Sequence, residues 1–211
     1  MKNKQFLRND QYNFIKRQVQ QLVNGNTMVN DKHVIGALES LSIEKVNDLF
    51  TEMTDEQKEV LNKIVEISDK EEAEQYLFDL ESYVIPFTKP SEQRLKKLFP
   101  KVKKMKLPTD GDYKKMSFLS FDDIGTKKRH IITPSQKGII GLSGTYEEMN
   151  VKQICSICNR FTHVCMFMTK TKGDIIGTYT RKGNYICHDA ADCNHHLTTL
   201  DKLYEFVDNI K

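Results

Sequence analysis

The segment Cys155-Ser156-Ile157-Cys158 is the most informative one in this 211-residue chain. Two cysteines separated by two residues form a knuckle, a tight turn in which both thiolates can converge on one metal ion. After 28 further residues comes a second pair, Cys187 and Cys193, with five residues between its members. Two such pairs favour one bound zinc ion over a redox pair or a disulfide framework. Because four thiolates complete a tetrahedron, we expect the ion to be structural.

The residues between the two pairs predict the elements that carry them. Val164 to Met168 is an apolar, strand-like segment, and turns are expected at Lys172-Gly173-Asp174 and at Gly183-Asn184. Cys193 comes shortly before the last predicted helix, where free backbone N–H groups help to stabilise a thiolate. A knuckle, a hairpin and a ligand near a helix start together describe a treble-clef zinc finger over about residues 151–211.

Other side chains in this region are weaker candidates for chemistry. Cys165 is expected to be a small buried strand residue. Four histidines are less favoured substitute ligands: His163, His188, His195 and His196. Asn194-His195-His196 superficially resembles the catalytic residues of treble-clef nucleases, but no paired acidic and histidine residues stand out beside it. Since a phosphate-binding Gly-rich loop and a nucleophile elbow are also missing, the chain is predicted not to be an enzyme.

Residues 1–90 predict a bundle of amphipathic helices. The first helix carries one apolar face and is expected to stop at Gly25, and Asn30 or Asp31 then caps a second helix. Thr54 begins a capping box, in which two side chains satisfy free backbone donors at a helix start. Short loops between such helices favour an antiparallel bundle.

Residues 91–211 predict a mixed α/β domain. Ser91 can cap a helix, and β-rich segments follow with a turn expected at Pro134-Ser135. The chain closes with a helix whose apolar face contains Leu200, Leu203, Tyr204, Val207 and Ile210. The predicted fold class is therefore α+β: an N-terminal helical bundle, then a mixed α/β domain with a small antiparallel sheet and the four-cysteine finger.

The charge of the chain changes sign at the same boundary. The net charge of +3 combines −5 over residues 1–90 with +8 over residues 91–211. Seven basic and no acidic residues form what we term the basic run: Arg94, Lys96, Lys97, Lys101, Lys103, Lys104 and Lys106. This run is either a solvated face or a contact for phosphates or an acidic protein.

No apolar run approaches the roughly 20 residues of a membrane span, and no signal-peptide core is present, so the cytoplasm is the expected location.

Several motifs in fixed order resemble one protein family over essentially the whole length. They are Pro90-Ser91 through Leu95 with Phe99 and Lys101-Val102-Lys103-Lys104, the knuckle with Val151-Lys152 before it, Tyr179-Thr180 through Cys187, Asp189 with Cys193-Asn194, and Leu203-Tyr204-Glu205-Phe206. The chain resembles an elongation factor G-binding protein of the FusB/FusC fusidic-acid-resistance type. This resemblance implies a helical bundle followed by an α/β domain with a four-cysteine zinc finger.

The resemblance also implies a function. Family members bind elongation factor G through the finger domain and promote its release from ribosomes, including complexes stalled by fusidic acid, without modifying the drug. A monomer with one structural zinc ion is expected. A nucleic-acid-binding or ribosomal-RNA-binding zinc finger, using the basic run, is the alternative.

The factor-binding surface of the family maps onto three residues of this chain, Lys182, Tyr185 and Phe206. A fourth, Ile154, stands where the family often has an aromatic residue. Phe206 lies off the stripe of Leu200, Leu203 and Val207, which predicts that its ring is exposed. The alternative is that Tyr185 and Phe206 simply pack the finger.

Overall fold

The computed structural model of the chain describes residues 4–102, 107, 111–135, 138–173, 175 and 177–211. Two compact units follow one another along the chain: the first ends at Ile85 and the second begins at Pro86. The sequence predicts this boundary a few residues later, at Pro90. Each unit has its own buried core, so each is described by itself below.

Residues 4–85 fold into helices that share one apolar core. The elements are α1 (Asn9–Met28), α2 (Lys32–Asn47), α3 (Asp55–Asn62), a 3₁₀ turn (Lys63–Glu66) and α4 (Lys70–Glu81). Their buried side chains include Leu7, Ile15, Val19, Leu22, Val46, Leu61, Ile64 and Leu80. The predicted helical bundle is therefore confirmed.

The helix caps expected in this unit are present. The Asp31 side chain accepts a hydrogen bond from the backbone N–H of His33 at 2.8 Å, which makes Asp31, and not Asn30, the cap of α2. At the start of α3, Thr54 and Gln57 exchange side-chain and backbone hydrogen bonds at 3.0 and 3.3 Å. These local patterns are readable from sequence because both partners lie within three residues of each other.

Gly25 does not stop the first helix, and that prediction is wrong. Helix α1 continues to Met28, with Gly25 inside it. A Cβ atom at Gly25 would lie only 2.8 Å from Cδ1 of Leu38 on α2. Gly25 therefore allows α1 and α2 to approach each other closely, and this packing outweighs the low helix propensity of glycine.

A five-stranded antiparallel sheet organises the second unit. Its strands pair in sequence order and are β1 (Leu119–Asp123), β2 (Lys128–Ser135), β3 (Gly138–Ile154), β4 (Phe161–Lys172) and β5 (Tyr179–Cys187). Among the described residues of this unit, three helices accompany the sheet, together with a 3₁₀ turn at Tyr113–Lys115: α5 (Glu92–Leu98), α6 (Ala190–His196) and α7 (Asp201–Ile210). This arrangement confirms the predicted α+β class.

Both faces of the sheet carry apolar side chains. Ile131 and Ile132 are neighbours on β2, and successive strand residues point to opposite faces. Ile131 packs in a cluster with Phe206 and Val207 of α7, whereas Ile132 packs in a second cluster with Leu95 of α5. The larger cluster also contains three of the four finger cysteines, so the sheet and the finger share one core.

Two turns predicted for this unit need correction, and parts of two other predictions fall outside the described residues. Pro134 and Ser135 do not form a turn, because both belong to β2 and pair with residues of β3. Gly183-Asn184 is likewise part of β5 and not a turn. Asp174 of the expected turn at 172–174 lies outside the described residues, as do three members of the basic run: Lys103, Lys104 and Lys106.

Candidate metal centre and its surroundings

The knuckle lies between β3 and β4 and is held by its own backbone. The N–H of Cys155 donates to the carbonyl of Arg160 at 2.9 Å, and the N–H of Asn159 donates to the carbonyl of Cys155 at 2.9 Å. Asn159 has a φ of 57°, the left-handed conformation that asparagine tolerates better than most residues. The N–H of Ile157 points at the Cys155 sulfur, 3.4 Å away. The turn therefore presents Cys155 and Cys158 toward one point.

The other two cysteines come from the end of β5 and from α6. Cys187 is the last residue of β5, and its N–H lies 3.3 Å from the Cys155 sulfur. Cys193 lies inside α6, a short helix capped by the Asp189 side chain, and its N–H donates to the Asp189 carbonyl. The expectation that Cys193 merely precedes the last helix thus missed a helix, because α6 is too short to show a periodic apolar pattern.

The four sulfur atoms form a compact cluster. All lie within 4.8 Å of one another, with 3.8 Å between Cys155 and Cys193 and 3.5 Å between Cys158 and Cys187. A tetrahedron with Zn–S bonds of about 2.3 Å has edges of about 3.8 Å, so the spacing suits a tetrahedral ion. The two measured distances are also far longer than the S–S bond of about 2.05 Å in a disulfide. The residues therefore fit a thiolate-bound metal.

When no ion is bound, hydrogen bonds among the four thiols shift their pKa values in opposite directions. Hydrogen bonds from the thiols of Cys158, Cys187 and Cys193 lower the pKa of Cys155. The hydrogen bond to Cys155 raises the pKa of Cys187 and of Cys193, because these thiols keep the protons that they share with it. A cation at the centre removes this conflict, since it stabilises all four thiolates together. Within the described residues, this cluster is the one grouping of His, Cys, Asp or Glu suited to a metal.

A buried arginine braces the segment that carries Cys187. The Arg129 side chain is 5% exposed and forms a two-point ion pair with Asp122, at 2.7 and 2.8 Å. Its remaining donors reach the carbonyls of Cys187 at 3.0 Å and His188 at 2.9 Å, and the sulfur of Cys165 at 3.3 Å. Burial alone would lower the pKa of Arg129, but Asp122 raises it, so the guanidinium stays charged. Arg129 thus ties β2 to the end of β5.

We expect Arg129→Lys to lower the free energy of unfolding of the second unit by about 2 kcal/mol, because an ammonium cannot replace the planar fork and leaves buried carbonyls without donors. Urea denaturation followed by circular dichroism measures this change. Arg8→Lys is the matched control, since Arg8 forms the same two-point pair with Asp10 in the first unit but is 52% exposed. Its expected effect is below about 1 kcal/mol. Equal stability of the Arg129→Lys variant and the parent would show that Arg129 is not a brace.

Asn194 serves the fold and is not a metal ligand. It is 4% exposed, and its side-chain oxygen accepts from the N–H groups of Ser117 and Phe118, at 2.7 and 3.2 Å. Its side-chain nitrogen donates to the carbonyls of Phe118 and Ala190, both at 3.0 Å. These bonds use the amide to join α6 to the chain entering β1. The local similarity of Asn194-His195-His196 to a nuclease site therefore has no counterpart in the geometry.

The histidines lie around the sulfur cluster and not in it. His163 and His188 line an open cleft of about 790 Å³ with Glu148 and Asp192, and His188 Nε2 lies 3.3 Å from Glu148. Nδ1 of His196 is 2.8 Å from the carbonyl of Asp192. His195 is exposed. Cys165 is fully buried, as predicted, and burial raises the pKa of its thiol.

Comparison with known proteins gives two matches that bear on this fold. Residues 6–88 match the family described as elongation factor G-binding protein, N-terminal. The solved structure of the fusidic acid resistance protein FusC superposes with a TM-score of 0.84 at 30% sequence identity, covering 100% of both chains. A search of curated protein sequences gives no significant match. The chain belongs to the FusB/FusC family of elongation factor G-binding proteins.

The FusB/FusC family is not a known class of enzymes. The family match at residues 6–88 covers the helical unit, and the FusC match extends over the sheet and the cysteine cluster as well. In the described part of the chain, no helix combines the length and the apolar character that crossing a membrane requires.

The four residues predicted to contact the factor are not equally accessible. Lys182 and Tyr185 are half-buried on β5, and Ile154, at the end of β3, is 58% exposed. Phe206 is only 1% exposed, so the prediction that its ring is exposed is wrong. The Phe206 ring packs against Phe167 with 6.0 Å between the ring centres. Phe206 follows Leu203 by three residues and belongs to the buried face of α7.

Arg129 and Asn194 are the residues of this region whose roles sequence reasoning missed. Arg129 is one of 32 Lys and Arg residues, and its neighbours in sequence carry no motif. The one available signal is a charged residue placed directly before the apolar strand segment His130 to Thr133. The structural role of Asn194 could not be predicted from its local motif, because its partners Ser117 and Phe118 are 77 and 76 residues away.

Proposed function

We propose that this chain binds elongation factor G and promotes its departure from the ribosome, so that translation continues in the presence of fusidic acid. The observation that carries the proposal is the match to the fusidic acid resistance protein FusC, with 30% identity over 100% of both chains. The match of residues 6–88 to the elongation factor G-binding family supports the same partner. We propose that the chain acts as a monomer in the cytoplasm, where ribosomes are found and thiols stay reduced.

One structural zinc ion held by Cys155, Cys158, Cys187 and Cys193 is part of this proposal. The sulfur spacing and the all-thiolate donor set favour zinc, and four protein ligands leave no open position for a substrate. The ion would join the knuckle to the end of β5 and to α6, which lie about 30 residues further along the chain. Its role is to hold a binding surface in shape, and the proposed activity needs no catalysis.

Lys182, Tyr185 and Ile154 are the proposed contacts with the factor. A lysine offers charge, whereas a tyrosine and an isoleucine offer apolar area that loses little conformational entropy on binding. Because Phe206 is buried and packs against Phe167, we assign it a supporting role in the fold of this unit. Binding would favour a conformation of the factor that holds the ribosome weakly, and the population then shifts toward the released factor.

Calorimetric titration of the purified full chain against elongation factor G tests the proposal. We expect saturable binding at a one-to-one ratio, with one zinc ion per chain in the same sample. Binding to ribosomal RNA but not to the factor, with a steep linear fall of log affinity against log salt, would instead support the nucleic-acid alternative. Absence of heat with the factor would reject the proposal.

We expect Tyr185→Ala to weaken binding to elongation factor G by about 30-fold, the effect of losing an interface residue worth roughly 2 kcal/mol. The zinc content should not change, because Tyr185 supplies no ligand. Phe78→Ala is a suitable control, since Phe78 is an aromatic residue of the first unit and is 73% exposed. Its affinity should equal that of the parent. If both variants bind like the parent, Tyr185 is not part of the interface.

A further inference from the structure

In the part of the chain that the structure describes, strand β5 lies at the edge of the sheet and pairs with β4 on one side only. Two hydrogen bonds show which backbone groups of β5 face away from β4. Just beyond one end of the pairing, the N–H of Gly173 donates to the carbonyl of Thr178 at 3.0 Å; just beyond the other, the N–H of His188 donates to the carbonyl of His163 at 3.2 Å. In an antiparallel pair, hydrogen-bonded and non-hydrogen-bonded residues alternate. The N–H and C=O groups of residues 179, 181, 183, 185 and 187 therefore point outward.

The finger covers the carboxyl end of this row of outward-pointing backbone groups. The carbonyl of Tyr185 accepts a hydrogen bond from the N–H of Ser156 at 2.8 Å. Cys187 directs its N–H at the Cys155 sulfur, and its carbonyl accepts from Arg129. The knuckle and the metal centre thus close the edge at its carboxyl end.

The other end of the row is open. Within the described residues, the outward N–H and C=O groups of Tyr179, Arg181 and Gly183 have no backbone partner. Gly183 and Arg181 are exposed, and Tyr179 is 57% exposed. A row of unpaired backbone groups on an exposed edge is a template for pairing with another strand. Three alternate residues provide enough groups for a short added strand.

Side chains around this open edge favour an acidic partner. Arg181 and Lys182 belong to β5, and Lys170 and Lys172 lie across from Arg181 and Tyr179 on β4. The Lys170 ammonium lies 3.9 Å from the centre of the Tyr179 ring, so an apolar ring and a cation sit together at the edge. An extended segment with acidic side chains would gain both backbone hydrogen bonds and opposite charge.

We infer that elongation factor G adds an extended, acidic segment to the open edge of β5, pairing with the backbone of Tyr179, Arg181 and Gly183. This inference rests on the proposed function and states how the binding occurs. The strand addition gives affinity through the backbone, whereas the proposed contacts of Lys182 and Tyr185 on the same strand give selectivity. The edge is available because the finger covers only its carboxyl end.

Comparison of Arg181→Pro with Arg181→Ala tests the inference. Proline removes the outward N–H and is tolerated at edge positions whose N–H does not join the sheet, whereas alanine removes only the side chain. We expect Arg181→Pro to bind elongation factor G at least about 10-fold more weakly than Arg181→Ala, at unchanged zinc content. Equal affinities of the two variants would overturn the strand addition.

Amide exchange on the unmodified chain is a second test and does not depend on a variant that folds. On binding the factor, the amides of Arg181 and Gly183 should become at least about 10-fold more protected. The amides of Lys182 and Asn184, which already pair with β4, are internal controls and should change less. No added protection at Arg181 and Gly183 in the complex overturns the inference but leaves the proposed function standing.

Amide exchange on the free chain also detects a different occupant of the edge. Protection of Arg181 and Gly183 in the free chain that rises with its own concentration would mean that a second copy pairs with β5, and would overturn the inference. Failure of the unmodified chain to bind the factor at all would overturn both this inference and the proposed function.

Discussion

Replacing Cys187 by Ser is expected to release the metal ion and unfold the second unit, while the first unit keeps its helices. A structural zinc ion typically supplies about 10–16 kcal/mol of folding free energy, which is comparable to or larger than the total stability of about 5–15 kcal/mol of a domain. Cys187 also connects β5 to α6 and shares the core with Phe206. Elemental analysis and circular dichroism before and after substitution measure both effects.

Cys165→Ala is the matched control for this experiment. Cys165 is equally buried and packs in the same cluster, but its sulfur contacts Arg129 and is not one of the four clustered sulfurs. This variant should keep one metal ion per chain and lose only about 1 kcal/mol of stability. Cys155→Ser should behave like Cys187→Ser. If Cys187→Ser retains a full complement of metal and an unchanged melting temperature, the four-cysteine site is not what holds the second unit together.

Phe206→Ala is expected to lower the free energy of unfolding of the second unit by about 3–5 kcal/mol. The ring is 1% exposed and contacts Phe167, so the substitution leaves a cavity in the cluster that joins α7 to the sheet. Urea denaturation of the metal-loaded protein measures the loss. We expect weaker binding of elongation factor G by this variant to follow from its lower stability.

Phe161→Ala is the control for Phe206→Ala, because it also removes an aromatic ring but from an exposed position. Phe161 is 65% exposed and pairs with Ile154 at the start of β4. Its removal should change the unfolding free energy by less than about 1 kcal/mol. A Phe206→Ala variant with the stability of the parent but reduced factor affinity would mean that Phe206 contacts the partner directly.

The burial of Phe206 shows how a periodic pattern can be assigned to the wrong positions. The stripe predicted from the sequence runs through Leu200, Leu203, Tyr204, Val207 and Ile210. In the structure α7 begins only at Asp201, and its buried residues are Leu203, Phe206, Val207 and Ile210. That set has the spacing of an amphipathic helix, so the signal is present in the sequence. Counting Leu200, which precedes the helix, and Tyr204 turned the predicted stripe away from Phe206.

Features that depend on near neighbours in the chain could be predicted from the amino-acid sequence. The sequence predicts Asn30 or Asp31 as the cap of α2 and a capping box at Thr54, because each cap bonds a backbone group two or three residues away. It also predicts the four metal ligands, because two close pairs of cysteines can converge on one ion. The tertiary structure alone decided that Arg129 reaches the end of β5 and that Asn194 joins α6 to β1. It also decided that the edge of β5 is only half covered. Those outcomes depend on which distant segments pack together, and a linear pattern does not contain that information.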